Sequence, residues 1–168
     1  MSLMANKTLI VLRHAKSSWQ TTEADQRRPL SERGERDALA AGEILAGYKL
    51  DVVLASTATR VQLTWEGATE AGAECADVRF SESVYQAWPG ELLGLIQGLD
   101  ESDSTAVLIG HQPTLSELIL ALAKPNELTE KVAKKFPTCG LAVLTFAGTW
   151  AELAEGAAEL ARFEIPRG

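Results

Sequence analysis

Three short, uninterrupted apolar runs constrain the fold of this chain most strongly. They read LIVL at residues 9–12, VVLA at residues 52–55 and AVLI at residues 106–109. Four successive apolar residues without polar alternation are typical of a strand that is covered on both faces, as the central strands of a parallel sheet are. Helical patterns lie between the runs, and this alternation predicts an α/β fold.

The same patterns predict the individual elements of that fold. Six strands are expected at residues 8–12, 51–55, 74–80, 106–109, 141–146 and 162–165. Four helices are expected between them: one from an N-cap at Ser31 towards Tyr48, one capped by Ser56, one beginning near Pro89 and one opening at Pro113. The apolar stripe of the third helix is expected to include Leu95. We expect a three-layer α/β/α architecture with a mostly parallel central sheet of about five to six strands.

Length and charge limit the organisation and the partners of the chain. Its 168 residues suit one domain over residues 1–168, without internal repeats or linkers; residues 1–3 are expected to precede a native start at Met4. No secretory signal is expected, and a cytoplasmic location is predicted. The formal net charge of −7 argues against general affinity for nucleic acid or an anionic membrane. The spacing of Cys75 and Cys139 suggests neither a zinc site nor a disulfide framework.

Unusual charged residues follow three of the predicted strands. Arg13, His14 and Lys16 follow the first strand, Arg60 lies in the first turn of the helix after the second, and His111 follows AVLIG. Ligands of open α/β sheets bind outside the carboxyl ends of the strands. The sequence therefore predicts an anion site at this edge. A structural histidine held by hydrogen bonds and a solvated arginine remain the alternatives for each residue taken singly.

The chemistry that such a group supports is phosphoryl transfer. Arginine forks match phosphate oxygens in pairs, and helix N-termini add further positive charge. A histidine among these groups can attack phosphorus in line while the cations neutralise the equatorial oxygens. The second histidine can then donate hydrogen bonds to the same oxygens as an imidazolium.

The motifs resemble those of the histidine phosphatase superfamily, which includes cofactor-dependent phosphoglycerate mutases. An Arg-His-Gly motif follows the first strand in that family, and here LRHAK places Ala15 at the glycine position. The chain is most similar to the short SixA-like phosphohistidine phosphatases. The blocks that match that branch are RRPLSERGERDA, LASTATRVQLT, LIGHQPTLSEL and FPTCGLAVLTF.

The resemblance implies a phosphoglycerate mutase-like fold and a role for each matching residue. His14 is the implied nucleophile, which becomes phosphorylated, and Arg13, Arg60 and His111 complete the phosphate pocket. Lys16 and Ser17 lie beside them in sequence and are further candidates for contact with phosphate or substrate. No metal and no cofactor are implied.

The resemblance fails at the residue that donates a proton to the leaving group. Members that cleave alkyl phosphate esters use a carboxylate after the third strand, where this chain reads SESVYQAWP and places Gln86. Glu82 is the nearest carboxylate and is a candidate acid, with a solvated loop glutamate as the alternative. An amide cannot protonate an alkoxide, so general acid catalysis, typically worth about 10²–10⁴-fold, is expected to be missing at Gln86.

Phosphohistidine tolerates that absence because a protonated imidazole leaves readily. The short connections between strands also predict an open pocket that admits a phosphorylated side chain of another protein, with Trp19, Tyr85 and Trp88 at its rim. The sequence thus indicates a metal-independent phosphatase acting on a phosphohistidine protein. A phosphatase of small phosphomonoesters and a phosphate-binding module without turnover remain alternatives, and neither the partner phosphoprotein nor the oligomeric state follows from the sequence.

Overall fold

One six-stranded mixed sheet forms the centre of the protein in the computed structural model, which describes residues 6–167. The expectations for residues 1–3 and Met4 lie outside the described residues. The strands are β1 (Asn6–Arg13), β2 (Val52–Ser56), β3 (Val78–Ser81), β4 (Thr105–Gly110), β5 (Leu141–Ala147) and β6 (Glu159–Glu164). Their order is β3-β2-β4-β1-β5-β6, and the pairs from β3 to β1 are parallel, whereas β5 and β6 are antiparallel. The predicted α/β class with a mostly parallel sheet is confirmed.

Alternate residues of the strands face two separate cores. In β1, Leu9 and Val11 pack into one buried cluster, and Ile10 and Leu12 pack into the other. Both faces are therefore apolar, which is why LIVL lacks the polar alternation of a half-exposed strand. Helices cover each face and complete the predicted three layers.

Within residues 6–167, six helices surround the sheet, four of them at the predicted positions. Their bounds are α1 (Glu32–Leu45), α2 (Thr59–Glu70), α3 (Glu82–Tyr85), α4 (Pro89–Gln97), α5 (Thr114–Leu122) and α6 (Glu127–Lys134). A 3-10 turn at Asp25–Arg27 precedes α1. The N-cap prediction for Ser31 is confirmed, because its side chain accepts a hydrogen bond from the Gly34 N–H.

Four details of the sequence prediction are wrong. Ser56 does not cap α2, whose N-cap is Ala58; the Ser56 hydroxyl instead accepts the Ala58 N–H two residues on, at 3.1 Å. Pro113 occupies the N-cap of α5 and not its first turn. Leu95 is 37% exposed because it lies on the outer face of α4. The third strand begins only at Val78, since the residues before it form a loop.

The sheet order brings the two histidines together. β1 and β4 are parallel neighbours, and Arg13 is paired with Gly110 in their register. His14 and His111 follow these residues directly, so they leave the same edge of adjacent strands. Across residues 6–167, the helices are all too short or too polar to span a bilayer.

Candidate active site

A cavity of about 420 Å³ opens at the carboxyl edge of β1, β2 and β4. The structure brings all four principal candidates together there, since Arg13, His14, Arg60 and His111 line this cavity. The two imidazole ring centroids lie 5.3 Å apart. Residues from three separate segments of the chain therefore form one site.

The backbone holds His14 firmly at the end of β1. Its N–H donates to the Gly110 carbonyl at 3.1 Å, and its carbonyl accepts the Cys139 N–H at 3.0 Å. The following Ala15 is fully buried and donates its N–H to the Thr64 hydroxyl at 3.0 Å. Ala15 does not have a positive φ, so its methyl group is compatible with the backbone at the family's glycine position.

Hydrogen bonding fixes the tautomer of the His14 ring, and burial keeps the ring neutral. Nδ1 lies 2.8 Å from the Ala15 carbonyl oxygen, which can only accept, so Nδ1 carries the proton. Burial lowers the pKa of His14 to about 3, and the nearby positive charges of Arg60 and Arg13 act in the same direction. At neutral pH the ring is therefore uncharged, and Nε2 carries a free lone pair.

His111 is also neutral in the structure, through a different pair of contacts. Its Nδ1 lies 3.4 Å from Arg60 Nη2, which can only donate, and its Nε2 lies 2.8 Å from the Ser56 hydroxyl. Nε2 therefore carries the proton. Burial, followed by the charge of Arg60, lowers the pKa of His111 to about 4. The imidazolium expected from the sequence consequently requires a bound anion that raises this pKa.

Arg13, at the end of β1, and Arg60, in α2, both supply positive charge to the cavity. Arg13 Nη1 donates to the Phe136 carbonyl at 3.1 Å, which fixes the guanidinium at the end of β1. Arg60 is 6% exposed and is fixed from the first turn of α2. The Nε atoms of both arginines are buried and have no hydrogen-bond partner among residues 6–167. Buried donors without partners are costly, and both guanidinium groups belong to residues that line the cavity, where an anion would compensate their charge.

A carboxylate that the sequence analysis missed, Asp25, links three walls of the cavity. Its Oδ2 accepts from the Tyr85 hydroxyl at 2.7 Å and from Arg60 Nη2 at 3.2 Å, and its Oδ1 accepts from Arg28 Nη2 at 3.0 Å. The Asp25 carbonyl accepts a further hydrogen bond from Arg60 Nη1 at 2.7 Å. The Tyr85 hydrogen bond, with the two arginines, lowers the pKa of Asp25 to about 2.

Lys16 and Ser17 take different positions in the site. Both line the cavity, but Lys16 is exposed at its mouth, whereas Ser17 is buried and accepts a hydrogen bond from Arg28 Nη1 at 2.5 Å. Arg28 is a third arginine of the site and is buried, as Arg60 is. The sequence analysis did not select it, although its block RRPL was recognised. Its guanidinium carbon lies 3.6 Å from the centroid of the exposed Trp19 ring.

The carboxylate predicted as a substitute acid lies outside the cavity. Glu82 begins α3 and is exposed, whereas Tyr85 and Gln86, at the other end of that short helix, line the cavity. Of the cavity-lining residues that the structure describes, Asp25 is the only carboxylate, and it is ionised at neutral pH. At this end of the cavity the structure therefore has the amide of Gln86 and the phenol of Tyr85, and neither group is a carboxylic acid.

Comparison with known proteins agrees with this geometry. The family model of the histidine phosphatase superfamily (branch 1) matches residues 9–97, from β1 to the end of α4. An uncharacterized protein of Mycobacterium tuberculosis (strain CDC 1551 / Oshkosh), MT1313, is 40% identical over 162 residues; the match covers 93% of this chain and 100% of the relative. That second match extends over the segment that contains His111.

Solved structures agree over nearly the whole chain. A candidate phosphohistidine phosphatase SixA from Nakamurella multipartitia superposes with a TM-score of 0.84 at 30% identity, covering 95% of this chain and 96% of that chain. Another candidate SixA, from Agrobacterium tumefaciens, gives a TM-score of 0.78 at 28% identity, with coverage of 94% and 97%. The fold is therefore shared with these proteins over nearly the whole chain.

Proposed function

We propose that this chain removes phosphoryl groups through a covalent phosphohistidine on His14. The chain belongs to the histidine phosphatase superfamily (branch 1), and so to a family of phosphatases. One observation carries the proposal: a neutral, backbone-anchored His14 shares a cavity with two arginines whose buried Nε donors lack partners among the described residues. A nucleophile and an oxyanion-binding group thus meet at one point.

In the first half-reaction, His14 Nε2 attacks phosphorus and the bond from phosphorus to the leaving group breaks on the opposite side. Arg13 and Arg60 hold the equatorial oxygens as charge shifts onto them. The incoming negative charge raises the pKa of His111, which takes up a proton from solvent at Nδ1, gives up its contact with Arg60 and donates to the same oxygens. The arginines supply the positive charge, so we propose that the reaction needs no metal.

In the second half-reaction, water attacks phosphorus and the bond to His14 Nε2 breaks. The electron pair of that bond returns to Nε2, and the proton lost by water passes to the phosphate or to solvent. The Nδ1–H of His14 stays on the Ala15 carbonyl throughout, so the departing ring is neutral imidazole. The same cations stabilise both transition states, because both have the same pentacoordinate charge distribution.

Phosphohistidine in a protein is the substrate class that we propose. Gln86 cannot donate a proton to an alkoxide, and Asp25 is ionised because its pKa lies at about 2. A leaving group must therefore be stable without acid catalysis from these residues. Imidazole satisfies that condition, since its ring carries its own proton. The two SixA candidates described above are named as phosphohistidine phosphatases, which supports the same substrate class.

A small phosphomonoester is the second candidate substrate. The volume of about 420 Å³ lies within the range typical of small-molecule pockets. Trp19 and Tyr85 line the cavity and offer aromatic surfaces to an aryl leaving group, whose lower pKa also removes the need for an acid.

A substrate panel with three protein variants tests both the mechanism and the substrate. We expect His14→Ala to abolish turnover of phosphohistidine and aryl phosphate, together with the acid-labile radiolabel on the protein, while the protein stays folded. Glu82→Gln serves as the control and should retain the wild-type rate, because Glu82 lies outside the cavity. Gln86→Glu should raise turnover of alkyl phosphates if the missing acid limits it.

The panel has three outcomes that would contradict parts of the proposal. Full activity of His14→Ala would refute the covalent mechanism. Strong wild-type preference for a sugar phosphate over phosphohistidine would refute the substrate assignment. Vanadate binding without turnover of any activated phosphate would instead indicate a phosphate-binding module.

A further inference from the structure

A second, larger groove continues from the phosphate pocket along the loop between β1 and α1. Its volume is about 710 Å³, and it shares Lys16, Ser17 and Trp19 with the pocket. The other lining residues come from the rest of that loop and the first turns of α1. A small phosphorylated metabolite that fills the pocket would leave this groove unused.

The floor of the groove is held by backbone contacts that make it preformed. The Ser18 N–H donates to the Pro29 carbonyl at 2.9 Å, and the Ser31 N–H donates to the Lys16 carbonyl at 2.9 Å. Helix α1 approaches so closely that a Cβ on Gly34 would lie 2.0 Å from the Lys16 carbonyl oxygen. A ligand would therefore find a shaped surface and would not have to order a loop.

Trp19 is an exposed but immobilised aromatic ring at the junction of groove and pocket. It is 73% exposed, and its ring stacks on Arg28. Arg28 is itself buried and is fixed by hydrogen bonds to Ser17 and Asp25. An ordered tryptophan of this kind loses little entropy on binding, and tryptophan is enriched among residues that dominate binding energy.

The charges around the groove favour an acidic ligand next to the phosphate. Lys16, Arg33 and Arg36 outnumber Glu32 and Glu35 along it, although the whole chain carries a net charge of −7. Lys16 lies where the groove meets the pocket. A carboxylate there would be attracted, whereas general polyanions are repelled by the rest of the surface.

We infer that this groove binds the polypeptide segment that flanks the phosphorylated residue of the substrate protein. The phosphoryl group enters the pocket, a neighbouring side chain packs on the open face of Trp19, and an acidic residue one or two positions away pairs with Lys16. This inference rests on the proposed phosphatase function and adds a substrate-recognition site to it.

Matched substrates and matched variants test the inference. The substrates are free phosphohistidine and a ten-residue peptide with one central phosphohistidine and flanking aspartates. The variants are Trp19→Ala, Trp19→Phe and the control Trp88→Ala. Trp88 is 75% exposed, close to the 73% of Trp19, but it lines neither the pocket nor the groove.

We expect the wild type to prefer the peptide, with a higher kcat/KM for peptide than for free phosphohistidine. In Trp19→Ala the ratio of these two kcat/KM values should fall about 30-fold. That factor corresponds to the loss of about 2 kcal/mol at an aromatic anchor. Trp19→Phe should restore most of that ratio, and Trp88→Ala should keep it. Equal wild-type kcat/KM for both substrates, or equal losses in Trp19→Ala and Trp88→Ala, would overturn the groove while leaving the phosphatase intact. Wild-type failure on both substrates, with turnover of aryl phosphate, would overturn the phosphohistidine substrate class, and failure on all three would overturn the proposed phosphatase function itself.

Discussion

The two neutral histidines predict that the protein loses stability as the pH falls from 6.5 to about 4. Burial lowers the pKa of His14 to about 3 and that of His111 to about 4, whereas histidine in an unfolded chain titrates near 6.5. In this window the unfolded chain binds protons that the folded chain does not bind. Acidification therefore favours unfolding, and the stability is fully present only above pH 6.5.

The magnitude follows from proton linkage. A histidine that titrates only in the unfolded chain changes the free energy of unfolding by about 1.4 kcal/mol per pH unit. Over the interval from pH 6.5 to 4.5 the pair should remove about 4 kcal/mol, because both rings stay largely unprotonated in the folded state. That loss is close to the whole stability of a marginal domain, about 5 kcal/mol. Above pH 4.5 the Asp25 carboxyl, with its pKa of about 2, contributes little to the change.

Urea unfolding at pH 6.5, 5.5 and 4.5, followed by tryptophan fluorescence, measures the effect. The comparison includes the wild type, His14→Gln, His111→Gln and the double variant. Each single replacement should reduce the slope of unfolding free energy against pH by about 1.4 kcal/mol per unit, and the double variant by about twice that. An equal slope in the wild type and the double variant would refute the neutral-histidine assignment. It would also remove the argument that His14 is an uncharged nucleophile.

Two further substitutions examine the supports of the site. Asp25→Asn removes the charge that holds Arg60, so we expect kcat with aryl phosphate to fall about 10–10²-fold, with a smaller change in KM. An unaltered kcat in steady-state kinetics would contradict this role of Asp25. Gly34→Ala places a methyl group against the Lys16 carbonyl, so thermal unfolding should show a loss of about 1–3 kcal/mol. Gly94→Ala, whose Cβ would meet nothing within 4 Å, is the control, and an equal effect of the two would refute the close approach.

The sheet and the principal site residues could be predicted because their signals are local. Strands buried on both faces leave continuous apolar runs, and the residue after each run must lie at the carboxyl edge. His14 and His111 follow β1 and β4 directly, so no knowledge of distant contacts was needed to place them. Arg60 was located in the same way, as the second residue of α2.

Other features depend on contacts that local sequence does not encode. Ser56 has the residue type of a helix cap, but its hydroxyl faces His111 from 55 positions away. Helix α6 was missed because only Thr129 and Val132 are buried in it, too few to form an apolar stripe. Asp25 begins a single 3-10 turn, too short to leave a periodic pattern in the sequence, and its partners Arg60 and Tyr85 are 35 and 60 positions away.

Phosphate binding and nucleophilic attack by an imidazole favour opposite charges in the site, and one arrangement of residues is compatible with both. Phosphate binding needs cations, whereas attack on phosphorus needs an uncharged imidazole. The arginines remain charged at any physiological pH, and their charge, added to burial, disfavours protonation of His14. In the mechanism that we propose, a bound phosphate reverses this effect at His111 alone, because His111 can take a proton on Nδ1 while His14 directs its lone pair at phosphorus. Under that mechanism, the arginines that bind the phosphate also keep His14 unprotonated until the reaction begins.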